Sequence, residues 1–180
     1  MLQRFFRKSR NRALIVRLHG DVVAASRQKA FYLEYGVADS FEGRFEMVAI
    51  HSGLLLKHLQ SLPAPGKDVA QDLIDAVFES FDTALREIGV SDVSVGKKMK
   101  QLAEAFLGRT RALDAALSKD DLMALQTTLS RNALAGEGDS ARLAQYVLQV
   151  QAGLKNVPLA VILTSAVPFP DAAQVIVPAL

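Results

Sequence analysis

Apolar residues recur along most of this chain at steps of three and four, the spacing that places side chains on one face of an α-helix. No stretch alternates strictly enough to argue for a sheet, so the pattern predicts an all-α domain of about six helices. In a first helix over about 11–28, Ile15, Leu18, Val22 and Ala25 build one apolar face. The aromatic segment 31–35 follows and ends at Gly36. A second helix then runs to about residue 62, with Asp39 and Glu42 spaced as a capping box. Its two apolar stripes, Phe45–Val48–Leu55–Leu59–Leu62 and Met47–Ile50–Leu54, predict packing on more than one side. Pro63, Pro65 and Gly66 stop it.

The third helix, about 67–88, divides sharply. Val69, Leu73, Val77, Phe81, Leu85 and Ile88 form an apolar stripe, and Asp68, Asp72, Asp75, Glu79 and Asp82 form an acidic ridge beside it. Gly89 suits the position just beyond the helix end. A fourth helix, about 94–117, buries Val95, Met99, Leu102, Phe106, Leu113 and Leu117, and its Lys97, Lys98, Lys100, Arg109 and Arg111 are the expected partners of the acidic ridge. Ser118 with Asp121 opens a fifth helix ending near Gly136, and Asp139 opens a sixth that ends near residue 155. The short connections favour antiparallel neighbours in one bundle. The expected organisation is a basic arm over 1–12, a helical domain over 13–157, and an apolar, Pro-rich tail over 158–180 that packs on the domain or is partly disordered.

Charge changes this picture at one end. The chain carries 21 basic and 19 acidic residues, yet six basic residues and no acid fall within 1–17, leaving 15 basic residues for all 19 acids elsewhere. In the arm, Leu2, Phe5 and Phe6 interleave with Arg4, Arg7, Lys8, Arg10 and Arg12. Aromatic rings enter a lipid interface while basic side chains meet anionic headgroups, so Arg4, Phe5, Phe6, Arg7, Lys8 and Arg10 are the candidate membrane contacts. A solvated terminus, contact with RNA such as a ribosome, and a mitochondrial import segment are other readings of the same composition. No signal peptide is expected, and Pro158, Pro168, Pro170, Pro178 and Asp171 interrupt the most apolar stretch too often for a spanning helix.

Candidate chemistry is sparse. There is no cysteine, hence no disulfide or thiolate metal site. Without tryptophan and with few aromatics, the chain is poorly suited to stacking single-stranded bases. His51 and His58 are seven residues apart and Glu46 is five from His51, whereas helical metal motifs use steps of three or four, so no metal site is expected. The acidic ridge reads as a solvated or salt-bridged face. No Gly-x-Ser-x-Gly occurs, and residues 89–98 depart from a phosphate loop in glycine spacing and in having Lys98 where Ser or Thr would stand. Neither an enzyme nor a cofactor is indicated.

Two blocks carry a family resemblance: YGVADSFEGRFE over 35–46 followed by Ile50 and His51, and FDTALREIGVSDVSVGKKMK over 81–100 followed by EAFLGR over 104–109. Together they resemble the ubiquinol–cytochrome c chaperone family, the mitochondrial assembly factors and their alphaproteobacterial relatives. The match covers about 30–115 well. Ala38 stands where proline is usual and Ser91 where glycine is common.

The resemblance implies an all-helical, non-catalytic factor that binds newly made cytochrome b and supports biogenesis of the cytochrome bc1 complex. It implies partners at the cytoplasmic face of a bacterial inner membrane (the matrix side in mitochondria), with a ribosome or a small helper subunit as further partners and no DNA. The surface candidates for client contact are Phe31, Tyr35, Asp39, Phe41 and Arg44 in the first block and its approach, and Arg86, Glu87, Asp92, Lys98 and Arg109 in the second. An exposed apolar groove is expected near 31–35 and Phe41. The alternative is a helical ligand-binding protein or enzyme with a polar pocket around Arg44 and His51.

Overall fold

The computed structural model describes residues 2–134 and 136–177, with side chains from residue 12 onward. These residues form α1 (Leu2–Ser26), α2 (Lys29–Leu33), α3 (Phe41–Ser61), α4 (Gly66–Glu87), α5 (Asp92–Ser118), α6 (Leu122–Asn132), α7 (Ser140–Lys155), α8 (Leu159–Thr164) and a 3₁₀ turn at Ala172–Gln174. The six long helices are the ones the periodicity predicts. α2 and α8 are shorter than the span over which a helical period can be recognised.

α3 is the axis of the bundle. It packs against α1, α4, α5 and α7, and 13 of its 21 residues are buried, as its two apolar stripes require. α4 lays its stripe of Val69, Leu73, Val77, Phe81 and Leu85 into α1, α3 and α5. α5 buries Val95, Phe106, Leu113 and Leu117, and α6 and α7 pair to close the far side. Gly36 and Gly138, both with positive φ, meet where the loops after α2 and before α7 cross; a Cβ on Gly36 would lie 2.8 Å from the Gly138 Cα. That approach lets the Asp139 N–H donate to the Tyr35 carbonyl at 3.0 Å.

Several local expectations are corrected. α1 begins at Leu2, so the arm expected over 1–12 is continuous with the helix; Arg, Lys, Leu and Gln are good helix formers and neither glycine nor proline interrupts them. The N-cap of α3 is Ser40 rather than Asp39. Its hydroxyl accepts from the Gly43 N–H at 3.2 Å, while Asp39 turns outward to Arg44, 2.7 Å away. Ser118 closes α5 instead of opening α6, whose cap is Asp121 accepting from the Ala124 N–H at 2.9 Å. Asp139 caps α7 as expected, accepting from the Arg142 N–H at 2.9 Å.

The tail crosses the bundle as a strap, burying Ile162, Val167, Ala172 and Val175. Its backbone lacks regular partners for much of its length, and side chains of the helices supply them. His58 Nε2 bonds the Val157 carbonyl at 2.8 Å. Arg17 donates to the Ile162 and Ser165 carbonyls, and Asp21 accepts from the Val167 N–H at 3.1 Å. Gln28 donates to the Pro170 carbonyl and accepts from the Ala172 N–H, at 3.0 and 2.7 Å. Tyr35 donates to the Ala172 carbonyl at 2.7 Å, and Arg142 donates to the Ala173 and Val175 carbonyls.

Candidate functional site

A long open groove of about 1650 Å³ runs between α1 and α4 and reaches the start of α3. Its floor is apolar: Ile15, Phe45, Val48 and Phe81 come from the core stripes of three helices and show their edges at the bottom. Val16 and Ile88 stand higher on the walls and are 63% and 60% exposed. The wall contributed by α4 is its acidic ridge. Asp68 and Asp72 stand one position before Val69 and Leu73, and Asp75 and Glu79 two before Val77 and Phe81, so burying the stripe leaves these four carboxylates on the flank that lines the groove with α1.

This corrects the expected pairing of that ridge with the basic residues of α5. The ion pairs of α5 go mainly to α3, with Arg109 Nε 3.0 Å from Glu46 and Lys57 against Asp114. At the α4–α5 corner Arg86 bridges Asp82, 2.6 Å away, and Asp92. Lys97, Lys98 and Lys100 are exposed.

The sequence candidates separate into groups. Asp39, Phe41, Arg44 and Glu87 line the groove together. Arg86 and Asp92 belong to the corner network, and Lys98 lies in the open on α5. Arg109 holds Glu46, which is nearly buried; burial raises the Glu46 carboxyl above its ordinary range and the guanidinium acts against that rise. Phe31 and Tyr35 are fully buried, so neither lines the exposed groove expected near them. Their rings pack edge to face with each other, and Phe31 packs also on Tyr146 and His51. The side chains of Arg4, Phe5, Phe6, Arg7, Lys8 and Arg10 lie outside the described residues.

His51 is a core residue. Nδ1 donates to the Met47 carbonyl at 2.7 Å, and Nε2 accepts from the Tyr146 hydroxyl at 2.7 Å, which makes this the neutral tautomer. Burial lowers its pKa to about 4, the bond to Met47 acting in the other direction, and burial raises the Tyr146 phenol. With both nitrogens engaged inside the protein, His51 has none left for a ligand, and Arg44 is exposed at the groove rim. The two do not form the common polar pocket of the alternative reading. Among the described residues no group of three His, Asp or Glu side chains is placed to hold a metal ion.

The sequence reading missed the α1 wall, to which Arg12, Val16, His19, Val23 and Arg27 contribute. The available signal was Val16 and Val23, aliphatic residues that lie beside the Ile15–Leu18–Val22–Ala25 stripe and had been given no partner. His19 is the clearest omission. Among the described residues its Nε2 is the buried side-chain polar atom that has no hydrogen-bond partner. Partial burial and the nearby Arg27 lower its pKa, and Glu79 acts against them.

Comparison with known proteins places these features in a lineage. The family model described as "Ubiquinol-cytochrome C chaperone" matches residues 33–169. A crystal structure of the Cbp3 homolog from Brucella abortus is similar over 98% of this chain and 100% of that one, at 34% identity and a TM-score of 0.86. No curated protein matches the chain in sequence. The match over most of the helical bundle, with a solved relative of the same fold over almost the whole length, shows that this chain belongs to the ubiquinol–cytochrome c chaperone family.

Proposed function

We propose that this chain is a cytochrome bc1 assembly factor that holds newly made cytochrome b through the α1–α4 groove and catalyses no reaction. The observation that carries the reading is the groove itself: an open apolar floor flanked by exposed Val16 and Ile88, in a chain of an assembly-chaperone family. A membrane-protein client must hide apolar surface before assembly, and an open groove with an apolar floor and apolar wall residues offers it a temporary cover. The chain acts at the cytoplasmic face of the inner membrane, where its basic first turns meet anionic headgroups. No helix among the described residues is long and apolar enough to cross a membrane, in keeping with peripheral contact. A ribosome or a small helper subunit completes the set of partners.

The test is photo-crosslinking from positions on and off the groove. A photoreactive residue at Phe41, Val16 or Ile88 is expected to recover cytochrome b from membranes, and one at Lys100 on α5 is not. Equal recovery from both sets would remove the groove as the client site. Absence of cytochrome b from every position would remove the client.

A further inference from the structure

We infer that the segment this groove takes is a cationic amphipathic helix of three to four turns, its apolar face on the floor and its Lys or Arg side chains toward the α4 wall. The inference rests on the chaperone reading of the same groove and names the chemistry of what docks there.

Charge is the first argument. Asp39, Asp75, Glu79 and Glu87 line the groove, against Arg12, Arg27 and Arg44; Asp68 and Asp72 line it too and are engaged in interactions of their own. Asp39 and Arg44 satisfy each other. Among the described residues Asp75, Glu79 and Glu87 form no ion pair; Asp75 accepts only an amide bond from Gln71 at 2.8 Å. An uncharged apolar helix laid here would strip water from these carboxylates and return nothing, which opposes its docking. A nucleic acid would be repelled. A helix with basic residues at steps of three or four exchanges water for charge-assisted hydrogen bonds along the same line.

Dimensions are the second argument. From Asp75 to Ile88 the α4 wall is about 20 Å long, the length of about 13 helical residues at the standard rise. The groove volume exceeds the range of roughly 300–1000 Å³ typical of small-molecule sites.

The test uses the full chain and fluorescein-labelled peptides of about 14 residues, read by fluorescence anisotropy. One peptide carries Leu and Lys at helical spacing, the second has Glu in place of every Lys, and the third keeps Lys but has Ser in place of Leu. Only the Leu/Lys peptide is expected to bind. Its affinity should fall about tenfold or more in the double variant Glu79→Lys, Glu87→Lys, whose exposed positions leave the core intact, and should weaken as salt rises. Glu104→Lys on α5 matches part of the charge change away from the groove and should have little effect. Binding of the Glu peptide with comparable affinity, or an unchanged affinity in the double variant, would overturn the inference. So would a chain dimer that buries the groove and dissociates in that variant. Capture of cytochrome b from membranes separates the two readings. If wild type and double variant capture it equally, the cationic-helix inference fails and the chaperone reading stands; if wild type captures none, the chaperone reading fails.

Discussion

At the scale of single residues, a place in a family-like block does not make a side chain part of the groove. His51 stands in a family-like block, yet it is a neutral ring sealed between Met47 and Tyr146. A folded pKa of about 4 against an unfolded value of 6.5 means that the folded state binds the proton less readily. Its contribution is therefore complete above pH 6.5 and is lost as pH falls toward 4, a linkage of about 3 kcal/mol. Urea denaturation between these pH values should show that loss in wild type and not in His51→Gln, and parallel curves would contradict it. The difference between the two isolates His51 from Glu46, whose raised pKa stabilises at low pH and has the opposite slope. Gly43 makes a second case. A Cβ there would sit 2.0 Å from the Ala38 carbonyl oxygen, so Gly43→Ala should cost about 2 kcal/mol or more. Gly108 has nothing within 4 Å of such a Cβ, and Gly108→Ala in mid-helix should stabilise by up to about 1 kcal/mol. Chemical denaturation distinguishes the two signs.

At the scale of elements, periodicity identified the six long helices because each buries a continuous stripe, and a stripe is visible without knowing what covers it. What a helix faces on its polar side is not visible in this way. The acidic ridge of α4 and the basic residues of α5 suggested partners in sequence, but the rotation set by the apolar stripe sends the ridge to α1. Glu46, in the middle of an apolar run, is reached instead by Arg109. Arg109→Leu should leave that carboxylate without its cation and cost about 2–3 kcal/mol at neutral pH; pairing it with Glu46→Leu should recover most of the loss in thermal denaturation. The tail was hardest to read. Its prolines exclude long helices and its order depends on side chains more than 100 residues away in sequence, such as Arg17, Asp21, Gln28 and Tyr35. Truncation after Thr164 removes Val167, Ala172 and Val175 from the core and uncovers the His51 cluster, against which Phe169 packs edge to face. A loss of about 4 kcal/mol or more follows from the area exposed, with faster proteolysis near Tyr35 and Tyr146.

At the scale of the whole molecule, the groove was legible only in part. Asp39, Phe41, Arg44 and Glu87 were named from the two sequence blocks, and the structure brings all four to one rim. The α1 wall was not named, because a groove is a relation between surfaces and α1 holds no part of either block. The burial of Phe31 and Tyr35 has the same origin: an aromatic cluster next to a turn looks like a docking surface until the strap that covers it is placed. The resulting molecule has a closed polar-clamped side and an open apolar–acidic side, with a basic first stretch at the N-terminal end of α1. The central claim is that the open side shelters cytochrome b during bc1 assembly. The most direct measurement is the amount of cytochrome b and of assembled bc1 complex in membranes of a strain lacking this chain, complemented with wild type or with Val16→Asp, Ile88→Asp. Both amounts should fall in the deletion strain, return with wild type and stay low with the groove variant. Normal bc1 content without the chain, or full rescue by the folded groove variant, would contradict the account.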